Sequence, residues 1–164
     1  MRSKKVLLIL AGGGFLGQMK QIMKNLDCDD SGIYYVTAED STSILRSLES
    51  DKCFVMPKTT HFSTRNPFIR VKDFFRSLIK AYSIINEIKP DFIISVGSSM
   101  AIPLFLCSIK YQSKKIFIES LTRVNDLSRT GKIIYNFNLS DKFYVQWPEL
   151  SQIYPKSVYR GKVL

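Results

Sequence analysis

The residues with the most chemistry to offer are glycines. Gly12-Gly13-Gly14-Phe15-Leu16-Gly17 satisfies G-x-G-x-x-G directly after the apolar run Val6-Leu7-Leu8-Ile9-Leu10-Ala11. A glycine turn between a strand and a helix converges backbone amides and a helix N-terminus on one anion-sized spot. The same turn also serves any α/β protein as a tight connection, and both readings stay open on this stretch. Glu39 and Asp40 close the second apolar run, where a ribose-binding acid would sit, and Tyr111 and Lys115 have Tyr-x-x-x-Lys spacing. Together they suggest hydride transfer, but that chemistry needs the Tyr and Lys on one helix face, and Lys115 begins an apolar strand. A dinucleotide-binding oxidoreductase is therefore the alternative reading. Gly97-Ser98-Ser99 lacks the flanks of a nucleophile elbow and reads as a helix N-cap with free amides. His61 is the single histidine, is expected to face solvent and excludes a multi-histidine metal site. No metal and no cofactor are expected, and anion binding without catalysis is what the residues suggest.

The elements that position these residues alternate. Periodicity and punctuation predict strands over 6–11, 32–38, 53–56, 91–96, 115–119 and 142–146. Between them come helices over 16–26, 41–48, 68–88, 97–111 and 130–137, with a last one over 148–153. Such alternation implies a largely parallel sheet in an α/β fold. The long helix carries Lys72, Arg76 and Lys80 at i, i+4 spacing, and Val71, Phe75, Leu78, Tyr82 and Ile85 are expected to form its core-facing stripe. Its start mixes aromatics with cations (Arg65, Phe68, Arg70, Lys72, Phe74, Arg76), a composition suited to an anionic membrane surface as well as to a solvated face.

Length and composition set the outer bounds. The 164 residues fit one domain, 1–164, with 45% hydrophobic and 23% charged residues. A net charge of +10 points to nucleic acid, an anionic membrane or phosphorylated substrates. The aromatics fall in apolar strands and helix faces and make no stacking platform, so no nucleic-acid partner is expected. Cys28, Cys53 and Cys107 are odd in number, widely spaced and in no ligand spacing, which suggests buried thiols in a reducing compartment. The run 6–11 is too short to span a bilayer. The expected location is cytoplasmic, peripheral on the inner face of the membrane.

The second half carries a resemblance. Ile118-Glu119-Ser120-Leu121-Thr122-Arg123-Val124 is followed by Leu127-Ser128-Arg129-Thr130-Gly131-Lys132, Val145-Gln146-Trp147-Pro148, Tyr154-Pro155-Lys156 and Tyr159-Arg160-Gly161. With Lys89-Pro90-Asp91 and the segment from Gly97 to Pro103, this succession resembles the Alg-fourteen-like oligosaccharide biosynthesis family, including its bacterial PssD and CpsF-type relatives. The resemblance implies a Rossmann-like parallel sheet with helices on both faces, the N-terminal half of a split GT-B glycosyltransferase. It also implies an acceptor carried on a polyprenyl (di)phosphate, and a separate Alg-thirteen-like or PssE-type partner that binds the UDP-sugar.

On that basis Gly12, Gly13, Gly14, Gly97, Ser98, Ser99, Arg123 and Lys132 are the expected phosphate and acceptor contacts. Glu119 is the one candidate for a chemical role, by orienting Arg123 or accepting from a sugar hydroxyl; a surface ion pair is the alternative. Gln146 and Trp147 are expected near the inter-subunit cleft, and the tail from Gly161 to Leu164 is the expected docking element. The family's first loop usually reads Gly-Gly-His-x-x-Glu. Phe15 and Gln18 stand in those places and cannot ionise, which leaves only the loop's backbone amides for an anion.

Overall fold

The computed structural model describes residues 4–26, 32–47, 52–57 and 66–163. His61, Arg65, Cys28 and Leu164 lie outside these, as does most of the polar loop before the long helix, and Cys53 and Cys107, expected to be buried, are half-buried. Seven parallel strands form one sheet in the order β3-β2-β1-β4-β5-β6-β7. They are β1 (Val6–Leu10), β2 (Ile33–Ala38), β3 (Cys53–Met56), β4 (Phe92–Val96), β5 (Lys114–Ile118), β6 (Lys142–Val145) and β7 (Val158–Tyr159). The chain builds outward from β1 in one direction through β2 and β3, then returns to pair β4 on its other side. That reversal opens a crevice at the carboxyl ends of β1 and β4, where open α/β sheets take ligands.

All five residues of β1 are buried, because both faces of the sheet are covered. Leu7 and Ile9 belong to one continuous core with Ala81, Ile84, Ile85 and Ile88 of α2 (Pro67–Ile88), Leu104 and Phe105 of α3 (Ala101–Ser108), Ile134 of α4 (Arg129–Asn136) and Leu150 of α5 (Pro148–Ile153). Val6, Leu8 and Leu10 point the other way, to Met19 of α1 (Gly14–Lys24) and to Ile44 in a pair of 3-10 turns over Glu39–Ser47. The expected parallel sheet with helices on both faces is what forms.

Several boundaries differ from expectation. The helix foreseen from Gly97 starts at Ala101 and ends at Ser108, with a 3-10 turn over Ile109–Tyr111. Strand β7 has no period to read in two residues; its pairing of Val158 with Tyr144 and Tyr159 with Val145 defines it. The core stripe of α2 also needs correction. Ile85 is buried and Leu78 half-buried, but Val71, Phe75 and Tyr82 are exposed, as are Phe68 and Ile79. The helix buries Ser77, Ala81, Ile84, Ile85 and Ile88 instead, because it has more apolar residues than one face can bury. Phe74, expected at a membrane, turns toward the core and meets Phe75 edge-on.

Candidate functional site

Gly13 begins α1 with φ +68, a backbone that excludes most other residues, and no side chain caps the helix. Phe15, one step into α1, lays its ring across Gly97 (φ +59), where any Cβ would overlap the ring. The turns after β1 and β4 are thus held together by an aromatic contact that only glycine permits at position 97.

Around them the chain leaves a cavity of about 690 Å³ at the carboxyl edge of the sheet. Gly12 and Phe15 line it from the first turn, Asp40 and Ser41 from the end of β2, and Gly97, Ser98 and Ser99 from the turn after β4. Glu119, Ser120 and Arg123 follow β5, and further wall comes from Asp126, Leu127 and Ser128 and from Arg129, Thr130 and Lys132 at the start of α4. Gly13 and Gly14 are not on the wall. The Gly97 amide is not free as expected: it donates to the Ile118 carbonyl at 2.9 Å, which ties the turn to β5. Ser98 Oγ accepts from the Met100 amide at 3.3 Å.

Glu119 has no exposed surface. Its Oε1 accepts from the Ser120 amide at 2.8 Å, and its Oε2 accepts from the Ser128 amide and hydroxyl at 2.9 and 3.0 Å. Ser128 is the N-cap of α4, and its hydroxyl oxygen in turn accepts from the Gly131 amide at 2.9 Å. A Cβ at position 131 would overlap the Glu119 carboxylate, so Gly131 is needed for the close approach. Among the described residues the carboxylate forms no ion pair and has no exposed surface, although the charge of Arg123 acts on it. Burial pushes its pKa up, and the hydrogen bonds from Ser120 and Ser128 offset part of that rise. Lys132, expected at a phosphate, is bound by Asp126, whose carboxylate also takes the Tyr154 hydroxyl. The Lys132 bond holds the Asp126 carboxyl below its usual range and raises the ammonium.

Two glutamines knit the same edge. Gln18 Nε2 donates to the Gly14 carbonyl, and its Oε1 accepts from the Leu121 amide at 3.2 Å and from Gln146 Nε2. Gln146 Nε2 also donates to the Glu119 carbonyl at 2.8 Å, while its Oε1 accepts from the Val163 amide at 2.8 Å. Trp147 Nε1 donates to the Leu121 carbonyl at 2.7 Å, and the Lys162 ammonium lies 3.6 Å above its indole. Gln146 is therefore buried within this chain and tied to the tail that follows Gly161. Sequence reasoning had no role for Gln18 beyond the loss of an ionisable group, and it passed over Arg129, Thr130 and Asp126. Arg129 and Thr130 had one signal, membership of the string Leu127-Ser128-Arg129-Thr130-Gly131-Lys132, and Asp126 lies outside it.

On the outer side, Phe68, Val71, Phe75, Ile79 and Tyr82 form an exposed apolar stripe along α2, bordered by Lys72, Arg76 and Lys80. Arg70 is exposed at the helix start. Arg76 pairs with Glu39 at 3.5 Å, and the next residue, Asp40, lines the cavity. Among the described residues no helix is long and apolar enough to cross a membrane, and none of their His, Cys, Asp and Glu side chains cluster to hold a metal.

A doubly wound parallel sheet with its cavity at the strand reversal defines a Rossmann-like α/β fold, of the kind found in one half of GT-B glycosyltransferases. The crystal structure of MurG from Acinetobacter baumannii matches it with a TM-score of 0.64 at 15% identity, over 96% of this chain and 45% of that one. The UDP-GlcNAc 2-epimerase of Methanocaldococcus jannaschii gives 0.63 at 13% identity, over 90% of this chain and 41% of that one. The chain thus spans less than half of either solved chain.

The sequence belongs to the family described as oligosaccharide biosynthesis protein Alg14 like, whose sequence profile matches residues 6–163. The human UDP-N-acetylglucosamine transferase subunit ALG14 is 30% identical over 183 residues, covering 99% of this chain and 84% of that protein. Its rat counterpart is 32% identical, covering 96% and 82%. The fission yeast Schizosaccharomyces pombe subunit is 30% identical, covering 98% and 83%. The family expected from the motifs is the family found.

Proposed function

We propose that this chain is the acceptor-side subunit of a two-component GT-B glycosyltransferase in lipid-linked oligosaccharide or polysaccharide synthesis, capsule and exopolysaccharide included. In this reading the cavity takes the head of an acceptor carried on a polyprenyl (di)phosphate. A separate donor-binding subunit, Alg-thirteen-like or PssE-type, brings a UDP-sugar such as UDP-N-acetylglucosamine to the facing side. The chain rests peripherally on the cytoplasmic leaflet through the α2 stripe, apolar residues entering the interface and Arg70, Lys72, Arg76 and Lys80 meeting anionic headgroups.

One observation carries this reading. The Arg76–Glu39 pair places the apolar and basic face of α2 one residue from the cavity wall at Asp40. A lipid-linked acceptor needs that adjacency, because its phosphate cannot move far from the membrane that holds its tail. A soluble dinucleotide needs no such face. The chemical division of labour follows from the side chains: this half orients the acceptor hydroxyl, excludes water and neutralises phosphate charge. Departure of UDP is stabilised by the other half.

The test is to purify this chain alone, the donor-binding subunit alone and the co-expressed pair. Transfer from UDP-N-acetylglucosamine to a polyprenyl-diphosphate-linked acceptor is then measured for each. Transfer is expected only from the pair. Full transfer by this chain alone, or saturable binding of reduced nicotinamide dinucleotide, would overturn the proposal.

A further inference from the structure

The cavity has three basic side chains on its wall, and they are not equivalent. Lys132 is held by Asp126. The guanidiniums of Arg123 and Arg129 are exposed and make no ion pair or hydrogen bond among the described residues. Between Arg129 and Lys132 the wall continues through Thr130, which is only 6% exposed and whose hydroxyl has no hydrogen-bond partner among the described residues. The Thr130 oxygen is not closed off with the buried unpaired hydroxyls of Ser77 and Ser95, so on the cavity wall it is open to a ligand that can satisfy it.

The backbone adds to this. Arg129 and Thr130 are the first two residues of α4, so their amides have no acceptor within the helix. The third amide, of Gly131, is taken by Ser128 Oγ. Glu119 occupies the inner side of the turn, with its oxygens engaged by Ser120 and Ser128. The glycine turns offer less, since Gly13 and Gly14 lie off the wall and the Gly97 amide is spent on β5.

We propose that the phosphate of an anionic ligand is seated at the start of α4, between the Arg123 and Arg129 guanidiniums, on the Thr130 hydroxyl and the Arg129 and Thr130 amides. The ligand class is an organic phosphate or diphosphate ester. This deepens the acceptor reading by locating its phosphate, and rests on that reading only for the ligand being lipid-linked.

Calorimetric titration of the full chain with inorganic pyrophosphate tests the seat directly. Saturable binding is expected, weakened about tenfold or more by Arg129→Gln. Thr130→Val should weaken it and Thr130→Ser should not. Lys142→Gln, the same change of charge at the opposite edge of the sheet, should bind as the parent does. No saturable binding by the parent, parent-like binding by Arg129→Gln, or equal loss with Lys142→Gln would each overturn the seat. If Thr130→Val fails to fold, the exposed Arg129→Gln still decides.

Vesicles separate the two sources of phosphate. Arg129→Gln should lose binding to phosphatidylcholine vesicles doped with polyprenyl phosphate and keep binding to phosphatidylglycerol vesicles. Equal loss on both would show a response to bilayer charge alone and overturn the seat. The two proposals fail separately. Transfer by the assembled pair with pyrophosphate binding indifferent to Arg129 sinks only the seat. A pair without transfer, but with Arg129-dependent pyrophosphate binding, sinks only the glycosyltransferase reading.

Discussion

A carboxylate without exposed surface is costly unless donors surround it, and Glu119 has the Ser120 amide, the Ser128 amide and the Ser128 hydroxyl. Its effect is to fix where α4 begins. Glu119→Gln sets an amide NH₂ against at least one of these donors, so a stability loss of about 1–3 kcal/mol is expected at neutral pH. The pH dependence has a definite sign. The folded carboxyl is raised above its unfolded value, so the folded state binds its proton more tightly. Stability from this group is fully present below the ordinary glutamate pKa and falls as pH rises through the elevated one. Urea unfolding across that window should show the fall in the parent and a flatter profile in Glu119→Gln; parallel profiles would count against it. Gly131→Ala should cost about 1–3 kcal/mol by forcing a methyl group into the same carboxylate, with melting temperature as the readout. The sequence offered Glu119 as a candidate for chemistry because it ends an apolar strand. That it is spent on Ser128, nine residues on, depends on a loop returning to β5, which no local pattern encodes.

Among the elements, α2 has two apolar faces with different duties. Ile85→Ala on the buried face should destabilise by about 2–5 kcal/mol, since it opens a cavity against β1. Phe75→Asp with Ile79→Asp on the exposed face should change stability by less than about 1 kcal/mol, yet abolish cosedimentation with anionic vesicles. Retained vesicle binding by that double variant would place the membrane surface elsewhere. The helix itself was legible from Phe68, one residue after its true start, to the Lys89-Pro90 stop, because side-chain periodicity and breakers are local. Its orientation was not, because Val71, Phe75 and Tyr82 continue a helical period as well as the true core residues do. The turns at the sheet's carboxyl edge are coupled through Gln18 and Gln146. Gln146→Ala removes one of the two donors to Gln18 Oε1, which keeps the Leu121 amide, and takes the same side chain away from the Glu119 carbonyl and the Val163 amide, so about 1–3 kcal/mol of destabilisation is expected. Hydrogen exchange should quicken together at Leu121 and Val163, and unchanged rates at both would argue against the coupling.

For the molecule as a whole, charge and topology act together. A net charge of +10 makes binding to anionic vesicles salt-sensitive, so cosedimentation should fall steeply from low to high ionic strength while unfolding stability changes little. Salt-insensitive vesicle binding would mean that the apolar stripe alone suffices. By itself the sequence determined the alternation of strands and helices, the burial of β1 on both faces and the family. Those follow from residue type and short-range spacing, the distances over which backbone preference and side-chain periodicity act. Only the tertiary structure decided that the Gly97 amide is consumed, that Glu119 is closed in, and that Arg123 and Arg129 form no hydrogen bond or ion pair among the described residues while Lys132 does. Those outcomes turn on which groups far apart in the chain arrive within hydrogen-bonding distance, and packing seven strands in one order is what brings them there.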